Sequence, residues 1–189
     1  MSSWPDLPDV VNRAFDVTRR AGYVSFCRNE TGRLLATLAS TRDGVMAEFG
    51  TGTGVGTAWL RSGVRGEKAS IVTAELDPAL ASAASEIFAD DPQVEVTAAD
   101  WSTLRDRGPF SLLFLDAGQP GEVDVDTVAD LVEDGGIVVL DDFLPSHGWP
   151  PMAGGRVDNL RQRWLTDERF TAVEVMVAPD AATIIATKR

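Results

Sequence analysis

The chain has 189 residues, with 17 basic and 29 acidic side chains and a formal net charge of −12. Typical domains have about 150 residues, so this length predicts a single domain with one continuous core. The acidic balance disfavours nucleic acid and anionic membranes as partners, because the surface as a whole repels polyanions. With Cys27 as the only cysteine, an intrachain disulfide and a multi-cysteine metal site are excluded.

The sequence predicts neither a secretory signal nor a membrane-spanning helix. The N-terminus, MSSWPDLPDV, carries acids and prolines where a secretory signal has a basic start and an apolar run of about 7 to 15 residues. The longest apolar runs, 112–115 and 137–140, are far shorter than the roughly 20 residues of a membrane-spanning helix. The sequence therefore predicts a soluble, cytoplasmic protein.

Apolar periodicity predicts helices first and then alternating strands and helices. Stretches around 10–15 and 34–38 are amphipathic and predict accessory helices within residues 1–43. From residue 44 to 189 we predict the core, with strands at 45–49, 70–75, 94–98, 110–116 and 136–141. These runs are continuous rather than alternating, which is typical of a parallel sheet covered by helices on both faces. The predicted fold class is therefore α/β, Rossmann-like and doubly wound.

Capping signals locate the remaining elements. Asp77 as N-cap with Pro78 at the first position predicts a helix after the second strand. Further helices are predicted at 57–62, at 124–132 ending in the 134–136 turn, and around Val157, Leu160 and Trp164 after a Pro- and Gly-rich loop at 143–155. Strands at 170–178 and 182–187 are joined by too short a turn for a crossover, so they should form an antiparallel hairpin.

A glycine-rich turn follows the first predicted strand, in the segment Glu48-Phe49-Gly50-Thr51-Gly52-Thr53-Gly54. Glycines let the backbone turn sharply and let a ligand approach closely. A dinucleotide fingerprint needs a third glycine five residues after the first, and no start at Gly50, Gly52 or Gly54 provides it. A phosphate-binding Gly-Lys-Ser/Thr is also missing. With Glu48 ahead of it, the turn suits a nucleoside with a cationic tail, and S-adenosylmethionine is such a ligand.

Acids at the next strand ends extend this prediction. Glu75 ends the second strand, where a carboxylate can accept both ribose hydroxyls. Asp100 with Trp101 follows the third strand and could hydrogen-bond and flank an adenine. The alternative is that Glu75 and Asp100 only cap strand ends and that the glycines only form a turn.

These segments resemble the class I S-adenosylmethionine-dependent methyltransferases. The glycine segment is similar to their first motif, Glu75-Leu76-Asp77-Pro78 to their second-strand acid and Ala99-Asp100-Trp101 to their adenine motif. Ser25 and residues 32–38 resemble the N-terminal helix of the catechol and caffeoyl-coenzyme A O-methyltransferase group. The resemblance implies a seven-stranded sheet ending in an antiparallel hairpin, a homodimer, and cofactor contacts from Glu48, Gly50, Thr51, Gly52, Gly54, Glu75, Leu76, Asp100, Trp101 and Asp116.

Three further carboxylates should meet at the same sheet edge. Asp116 ends the fourth strand, and Asp141 and Asp142 end the fifth. Converging carboxylates repel unless a cation is present, and all-oxygen ligands favour Mg²⁺, Mn²⁺ or Ca²⁺. The resemblance implies the same divalent site, which would lower the pKa of an acceptor hydroxyl. Two positions depart from that group. Gln119 stands where the group usually has a lysine, and Asp142 stands where it commonly has an asparagine. The alternative without a metal is that Asp116 contacts the cofactor's ammonium, while Asp141 and Asp142 cap the next segment.

The single histidine, His147, follows the carboxylate pair and is a candidate general base in place of the missing lysine. The alternative is that it is only solvated. Residues 149–152 are predicted either to line an aromatic acceptor pocket or to wrap over the sheet edge.

The combined prediction is an O-methyltransferase that acts on a small hydroxylated molecule such as a catechol, with metal assistance left open. Nucleic-acid amino-methyltransferases are disfavoured because Asp116-Ala117-Gly118-Gln119 lacks their Asn/Asp-Pro-Pro-aromatic motif. Two alternatives remain at this point: a non-catalytic S-adenosylmethionine-binding module and a nicotinamide-dependent oxidoreductase.

Overall fold

The computed structural model describes residues 6–116 and 123–189, which form six α-helices, nine strands and one 3-10 helix. The helices are α1 (Asp9–Ala21), α2 (Asn29–Ala39), α3 (Val55–Gly63), α4 (Pro78–Phe88), α5 (Val125–Leu131) and α6 (Asn159–Thr166). The strands are β1 (Val45–Phe49), β2 (Ser70–Glu75), β3 (Val94–Ala98), β4 (Phe110–Leu115), β5 (Val132–Phe143), β6 (Met152–Ala153), β7 (Arg156–Val157), β8 (Phe170–Ala178) and β9 (Ala181–Lys188).

Seven strands form one sheet in the order β3-β2-β1-β4-β5-β9-β8. The first five are parallel, whereas β9 pairs antiparallel with both β5 and β8. This confirms the predicted doubly wound fold and its C-terminal hairpin. Because β1 lies between β2 and β4, the strand order reverses there, and crevices for ligands form at such a switch point, outside the carboxyl ends of the strands.

Helices cover both faces of the sheet, as the continuous apolar runs predict. Met46, Leu112 and Val139 pack into the core beneath α1 to α4, while Ala47 and Val138 face the opposite core with α5 and α6. The predicted N-cap of α4 is also confirmed, since the Asp77 carboxylate accepts from the N–H groups of Ala79 and Leu80 at 2.8 and 3.4 Å.

Three segments differ from the sequence-based expectation. The helix predicted at 124–132 ends at Leu131, and β5 begins directly at Val132. Val132 belongs to the strand because it pairs with Phe110 on β4, before the register of the β4–β5 pairing shifts. The predicted loop at 143–155 contains the start of the small β6–β7 hairpin, which turns at Gly154 and Gly155 with φ of 56 and 77 degrees. Val157 therefore lies in β7 rather than in the following helix. A 3-10 helix at Trp101–Arg107 was not predicted.

The close approach of α2 to α3 predicts the effect of one substitution. A Cβ at Gly32 would lie 2.2 Å from the ring of Trp59, which is buried. We expect Gly32→Ala to lower the free energy of unfolding by about 1 to 3 kcal/mol, as is usual when a packed core is overfilled. Urea denaturation measures this.

Gly66→Ala is the matched control, because a Cβ at Gly66 meets nothing within 4 Å. Its stability should stay within about 0.5 kcal/mol of the parent. Equal losses in both variants would contradict the packing argument.

Within residues 6–116 and 123–189, no helix combines the length and the apolarity needed to cross a membrane.

Candidate functional site

The loop between β1 and α3 turns at three glycines. Gly50, Gly52 and Gly54 have φ of 92, 52 and 91 degrees, a region that favours glycine. The N–H groups of Gly50 and Thr51 donate to the Ala74 carbonyl on β2 at 3.1 and 3.3 Å. The turn is therefore fixed against the neighbouring strand.

Glu75, at the end of β2, contacts this turn directly. One of its carboxylate oxygens accepts from the Gly52 N–H at 2.7 Å, and the other accepts from the Asp77 N–H at 2.9 Å. Each oxygen keeps a further lone pair, so the carboxylate is held in one orientation and can still accept two hydrogen bonds from a ligand.

A cavity of about 530 Å³ lies at the carboxyl ends of the parallel strands. It is lined by Tyr23, Ser25, Phe26, Cys27, Gly50, Thr51, Gly52, Thr53, Val55, Gly56, Ala74, Glu75, Leu76, Ala99, Asp100, Trp101, Asp116 and Asp142. Most of the predicted cofactor residues therefore meet around one space, as the sequence predicts from their positions at successive strand ends.

Asp100 and Trp101 form the end of the cavity beside β3. The Asp100 carboxylate accepts from the Ser102 N–H at 2.9 Å and so caps the 3-10 helix. Hydrogen bonding from the Ser102 side chain, and then from its N–H, lowers the pKa of Asp100. The Trp101 ring stacks on Phe49 with centroids 4.8 Å apart, and the Arg105 guanidinium lies 5.2 Å from its centre. Asp100 thus caps a helix and also faces the cavity.

Glu48 and Gly54 lie behind the turn and are not among the residues that line the cavity. Glu48 is fully buried; it accepts from Thr57 Oγ1 and, at 3.4 Å, from Thr73 Oγ1. Burial raises its pKa to about 8. Its other oxygen has no hydrogen-bond partner among the residues that the structure describes, and a Cβ at Gly56 would clash with it. Glu48 therefore supports the base of α3 from below rather than facing a ligand.

Gly54 has a packing reason for being glycine. A Cβ there would lie 3.1 Å from Ile87 Cδ1 on α4 and 3.3 Å from Ala84 Cβ. The third glycine of the turn thus allows α4 to approach.

The three carboxylates of the predicted metal site do not face one space. Asp116 and Asp142 line the cavity, but Asp141 is not among the lining residues and accepts instead from Thr31 Oγ1 on α2 at 3.2 Å. Across residues 6–116 and 123–189, no three His, Cys, Asp or Glu side chains are grouped so that they could hold a metal ion. The described side chains therefore do not fit the predicted metal site.

Burial affects the protonation of these acids. The pKa of Asp116 is raised well above its ordinary value, first by burial and then by the negative charges of Glu48 and Asp142. Burial likewise raises the pKa of Asp141 to about 6, against the opposing hydrogen bonds from the Asp142 backbone and Thr31. Asp116, which lines the cavity, and Asp141, which does not, thus bind protons more readily than free carboxyl groups.

His147 is exposed and is not among the residues that line the cavity. Gln119, which stands where the resemblance leads us to expect lysine, lies outside the described residues. His147 is therefore not part of the cavity lining.

The segment between α1 and α2 is the part of the site that sequence reasoning did not assign to the cofactor. Tyr23, Ser25, Phe26 and Cys27 all line the cavity. Only the glycine that ends α1, Gly22, signals that a turn precedes this segment, and its contact with the glycine loop has no local signature.

The sheet order and the acid-flanked glycine turn at the switch point define the fold of a class I S-adenosylmethionine-dependent methyltransferase. The chain belongs to the Methyltransf_24 family, described as a methyltransferase domain, whose model matches residues 47–143, more than half of the chain. Membership of this family excludes the oxidoreductase alternative.

Solved structures with the same fold include methyltransferases of low sequence identity. The O-methyltransferase TomG from Streptomyces achromogenes, involved in tomaymycin synthesis and solved with S-adenosylmethionine, has a TM-score of 0.76 at 21% identity, covering 97% of this chain and 92% of that one. An O-methyltransferase from Bacillus cereus in complex with S-adenosylhomocysteine has a TM-score of 0.75 at 19% identity, with the same coverage of 97% and 92%. The methyltransferase PaMTH1 from Podospora anserina, with S-adenosylhomocysteine bound, has a TM-score of 0.74 at 22% identity, covering 97% and 89%. No curated protein matches the chain in sequence.

Proposed function

We propose that the protein transfers the methyl group of S-adenosylmethionine to a hydroxyl of a small molecule such as a catechol. The observation that carries the proposal is the Glu75 carboxylate, which the Gly52 and Asp77 N–H groups orient toward the cavity. A carboxylate fixed in this way, beside a glycine turn that lacks a phosphate-binding motif, suits the two hydroxyls of a ribose.

The charge of the described residues that line the cavity supports the choice of cofactor. Its charged lining residues are Glu75, Asp100, Asp116 and Asp142, all acidic. Acidic side chains attract the sulfonium and ammonium of S-adenosylmethionine and disfavour a pyrophosphate. Trp101 offers an aromatic surface at the β3 end for the adenine. When bound, the cofactor supplies a methyl group attached to a positively charged sulfur.

The acceptor is proposed to lie over the ends of β4 and β5, where Asp116 and Asp142 face the cavity. There the hydroxyl oxygen would be aligned with the methyl group, the sulfur–carbon bond would break as the oxygen–carbon bond forms, and the hydroxyl proton would leave to a carboxylate or to water. TomG and the Bacillus cereus neighbour are O-methyltransferases, which supports a hydroxyl as the acceptor group.

Mass spectrometry tests this function. The protein is incubated with S-adenosylmethionine and separate panels of catechols, simple phenols, aliphatic alcohols and amines. We expect S-adenosylhomocysteine and an acceptor heavier by one methylene to form with a hydroxylated compound. Cofactor binding without turnover across the panels would favour the non-catalytic module, and methylation only of amines would contradict the proposed acceptor class.

A second expectation concerns divalent metals. Because Asp141 accepts from Thr31, we expect EDTA to leave turnover unchanged and Asp141→Ala to act mainly on stability, by about 1 kcal/mol for the lost hydrogen bond. Assays with EDTA and with added Mg²⁺, together with thermal unfolding, measure both effects. Stimulation by Mg²⁺ that is lost in Asp141→Ala would contradict this expectation and restore the three-carboxylate site.

A further inference from the structure

β5 carries a bulge where it reaches the cavity. In its pairing with β9, the register shifts between Leu140 and Phe143. Asp141 and Asp142 therefore lie together opposite the single residue Thr183. A bulge of this kind bends a strand and changes the direction of its side chains, and bulges are common beside active sites. The bulge explains how Asp142 lines the cavity while its neighbour does not.

The backbone of Asp142 has an unusual conformation. Its φ of 66 degrees is the only positive φ of a non-glycine residue within 6–116 and 123–189. This left-handed region is unfavourable for a residue with a Cβ, so it persists only where the surrounding structure holds it. The contacts on either side of Asp142 therefore show what directs its side chain into the cavity.

Ahead of Asp142, the strand is attached to two neighbouring elements. The buried Thr183 hydroxyl on β9 donates to the Leu140 carbonyl at 2.5 Å. The Asp141 carboxylate accepts from Thr31 Oγ1 on α2 at 3.2 Å. The first half of the bulge is thus fixed to the sheet and to the N-terminal helices.

Beyond Asp142, a side chain of α6 holds the chain. Nη2 of Arg161 donates to the Leu144 carbonyl at 2.8 Å, and its guanidinium carbon lies 5.0 Å from the centre of the Phe143 ring. Arg161 therefore contacts both residues that directly follow Asp142. It is not itself among the residues that line the cavity.

The guanidinium of Arg161 is held in one orientation. The residue is 1% exposed, and its Nη1 donates to both oxygens of Glu174 on β8 at 3.2 and 3.1 Å. Its Nε lies 3.2 Å from Asp158 Oδ2. Two carboxylates thus pair with the buried charge, and the planar fork leaves a further donor aimed at Leu144.

We propose that Arg161 is a positioning residue: by holding residues 143 and 144, it keeps Asp142 directed into the cavity over the ends of β4 and β5. The proposal rests on the proposed function, which places the acceptor at this end of the cavity. Because Arg161 acts through Asp142, a change at Arg161 should alter turnover and leave the affinity for S-adenosylmethionine as it is.

Hydrogen exchange with mass spectrometry tests the contact without an acceptor. Arg161→Lys keeps the charge beside Glu174 and Asp158, but a single ammonium group cannot reproduce the fork. Peptides covering 140–145 should exchange about 10-fold faster in this variant, as the loss of one hydrogen bond to a charged group predicts. Peptides covering the glycine turn, 50–54, should exchange as in the parent. Unchanged exchange at 140–145, or an equal increase in both segments, would overturn the proposal.

Two further variants complete this experiment. Arg163→Lys is the matched control, because Arg163 lies on the same helix, is exposed and pairs with Asp126, so exchange should not change in either segment. Arg161→Met combined with Glu174→Gln replaces Arg161→Lys if that variant does not fold. The double change removes the hydrogen bond to Leu144 without leaving Glu174 as an unpaired charge, and glutamine can still accept from the Ser146 N–H.

A double-mutant cycle tests whether Arg161 acts through Asp142. Asparagine tolerates a positive φ, so Asp142→Asn removes the charge and keeps the bulge. With the most reactive hydroxylated compound of the acceptor panels, Arg161→Lys should lower kcat about 10-fold, and by less than about 2-fold when Asp142→Asn is already present. Equal losses in the two backgrounds, or weaker binding of S-adenosylmethionine by calorimetry, would overturn the positioning role.

The two experiments separate this proposal from the proposed function. Absence of turnover by the parent with every hydroxylated compound would overturn the proposed function, and the exchange experiment would still decide whether Arg161 holds the chain beyond Asp142. Unchanged exchange in a parent that methylates a hydroxyl would overturn the positioning role alone.

Discussion

Replacing Glu75 with glutamine should lower the affinity for S-adenosylmethionine by about 10- to 100-fold, the usual loss of one or more hydrogen bonds in which a charged group takes part. The two oxygens of Glu75 already accept from Gly52 and Asp77. An amide nitrogen accepts nothing, so either one of these backbone groups or a ribose hydroxyl must lose its partner. Calorimetry measures the loss, and kcat/KM should fall with it.

Glu95→Gln is the matched control for this experiment. Glu95 lies on the adjacent strand β3, is exposed, and pairs with Arg107 at 2.8 Å rather than facing the cavity. The same chemical change there should leave cofactor affinity unchanged. Similar affinities in both variants and the parent would contradict the role of Glu75, provided that circular dichroism shows all three proteins folded.

Strand positions could be predicted because burial on both faces leaves a simple trace in the sequence. β1 and β2 have the predicted bounds and are largely buried. β3 also has the predicted bounds, although it lies at the edge of the sheet and none of its residues is fully buried. The carboxyl ends of parallel strands share one edge, so Glu75, Asp100 and Asp116 could be placed together without coordinates. The β6–β7 hairpin was harder because its strands have only two residues each.

The metal site was predicted from the same edge argument, and that argument does not resolve the direction of a side chain. Asp141 and Asp142 are consecutive at the end of a strand, where successive side chains point to opposite faces. Asp142, with a φ of 66 degrees, lines the cavity, while Asp141 turns to Thr31. Adjacent residues at a strand end therefore share an edge without sharing a site.

The segment between α1 and α2, residues 22–28, shows a different limit of prediction from sequence. Tyr23 contacts Gly52, which is 29 positions further along the chain, and nothing in the residues around Tyr23 signals that contact. The end of α1 at Gly22 is a local feature, but the direction of the chain beyond it depends on how α1 packs against α3 and α4. Such a contact depends on tertiary structure alone.

The pH dependence of stability should reveal the buried Glu48. Its pKa is raised from 4.5 to about 8 in the folded protein, mainly by burial. Between these values the unfolded chain is ionised at this residue and the folded protein is not, so folding takes up a proton. The free energy of unfolding should therefore fall as pH rises through this window, by at most about 1.4 kcal/mol per pH unit, and level off above pH 8.

Glu48→Gln isolates this effect, because glutamine keeps an oxygen that can accept from Thr57 and does not titrate. Its stability at the acidic end of the window should be close to that of the parent, and it should exceed the parent's above pH 8. Glu48→Ala should be less stable than both at every pH, by about 1 to 3 kcal/mol, since the buried Thr57 hydroxyl loses its acceptor. Urea denaturation from pH 5 to 9 measures the three curves. Because the charge of Glu48 also raises the pKa of Asp116, the difference between the parent and Glu48→Gln reports the titration of Glu48 together with its coupling to Asp116. A flat difference would mean that the Glu48 carboxyl ionises in the folded state as it does in the unfolded chain.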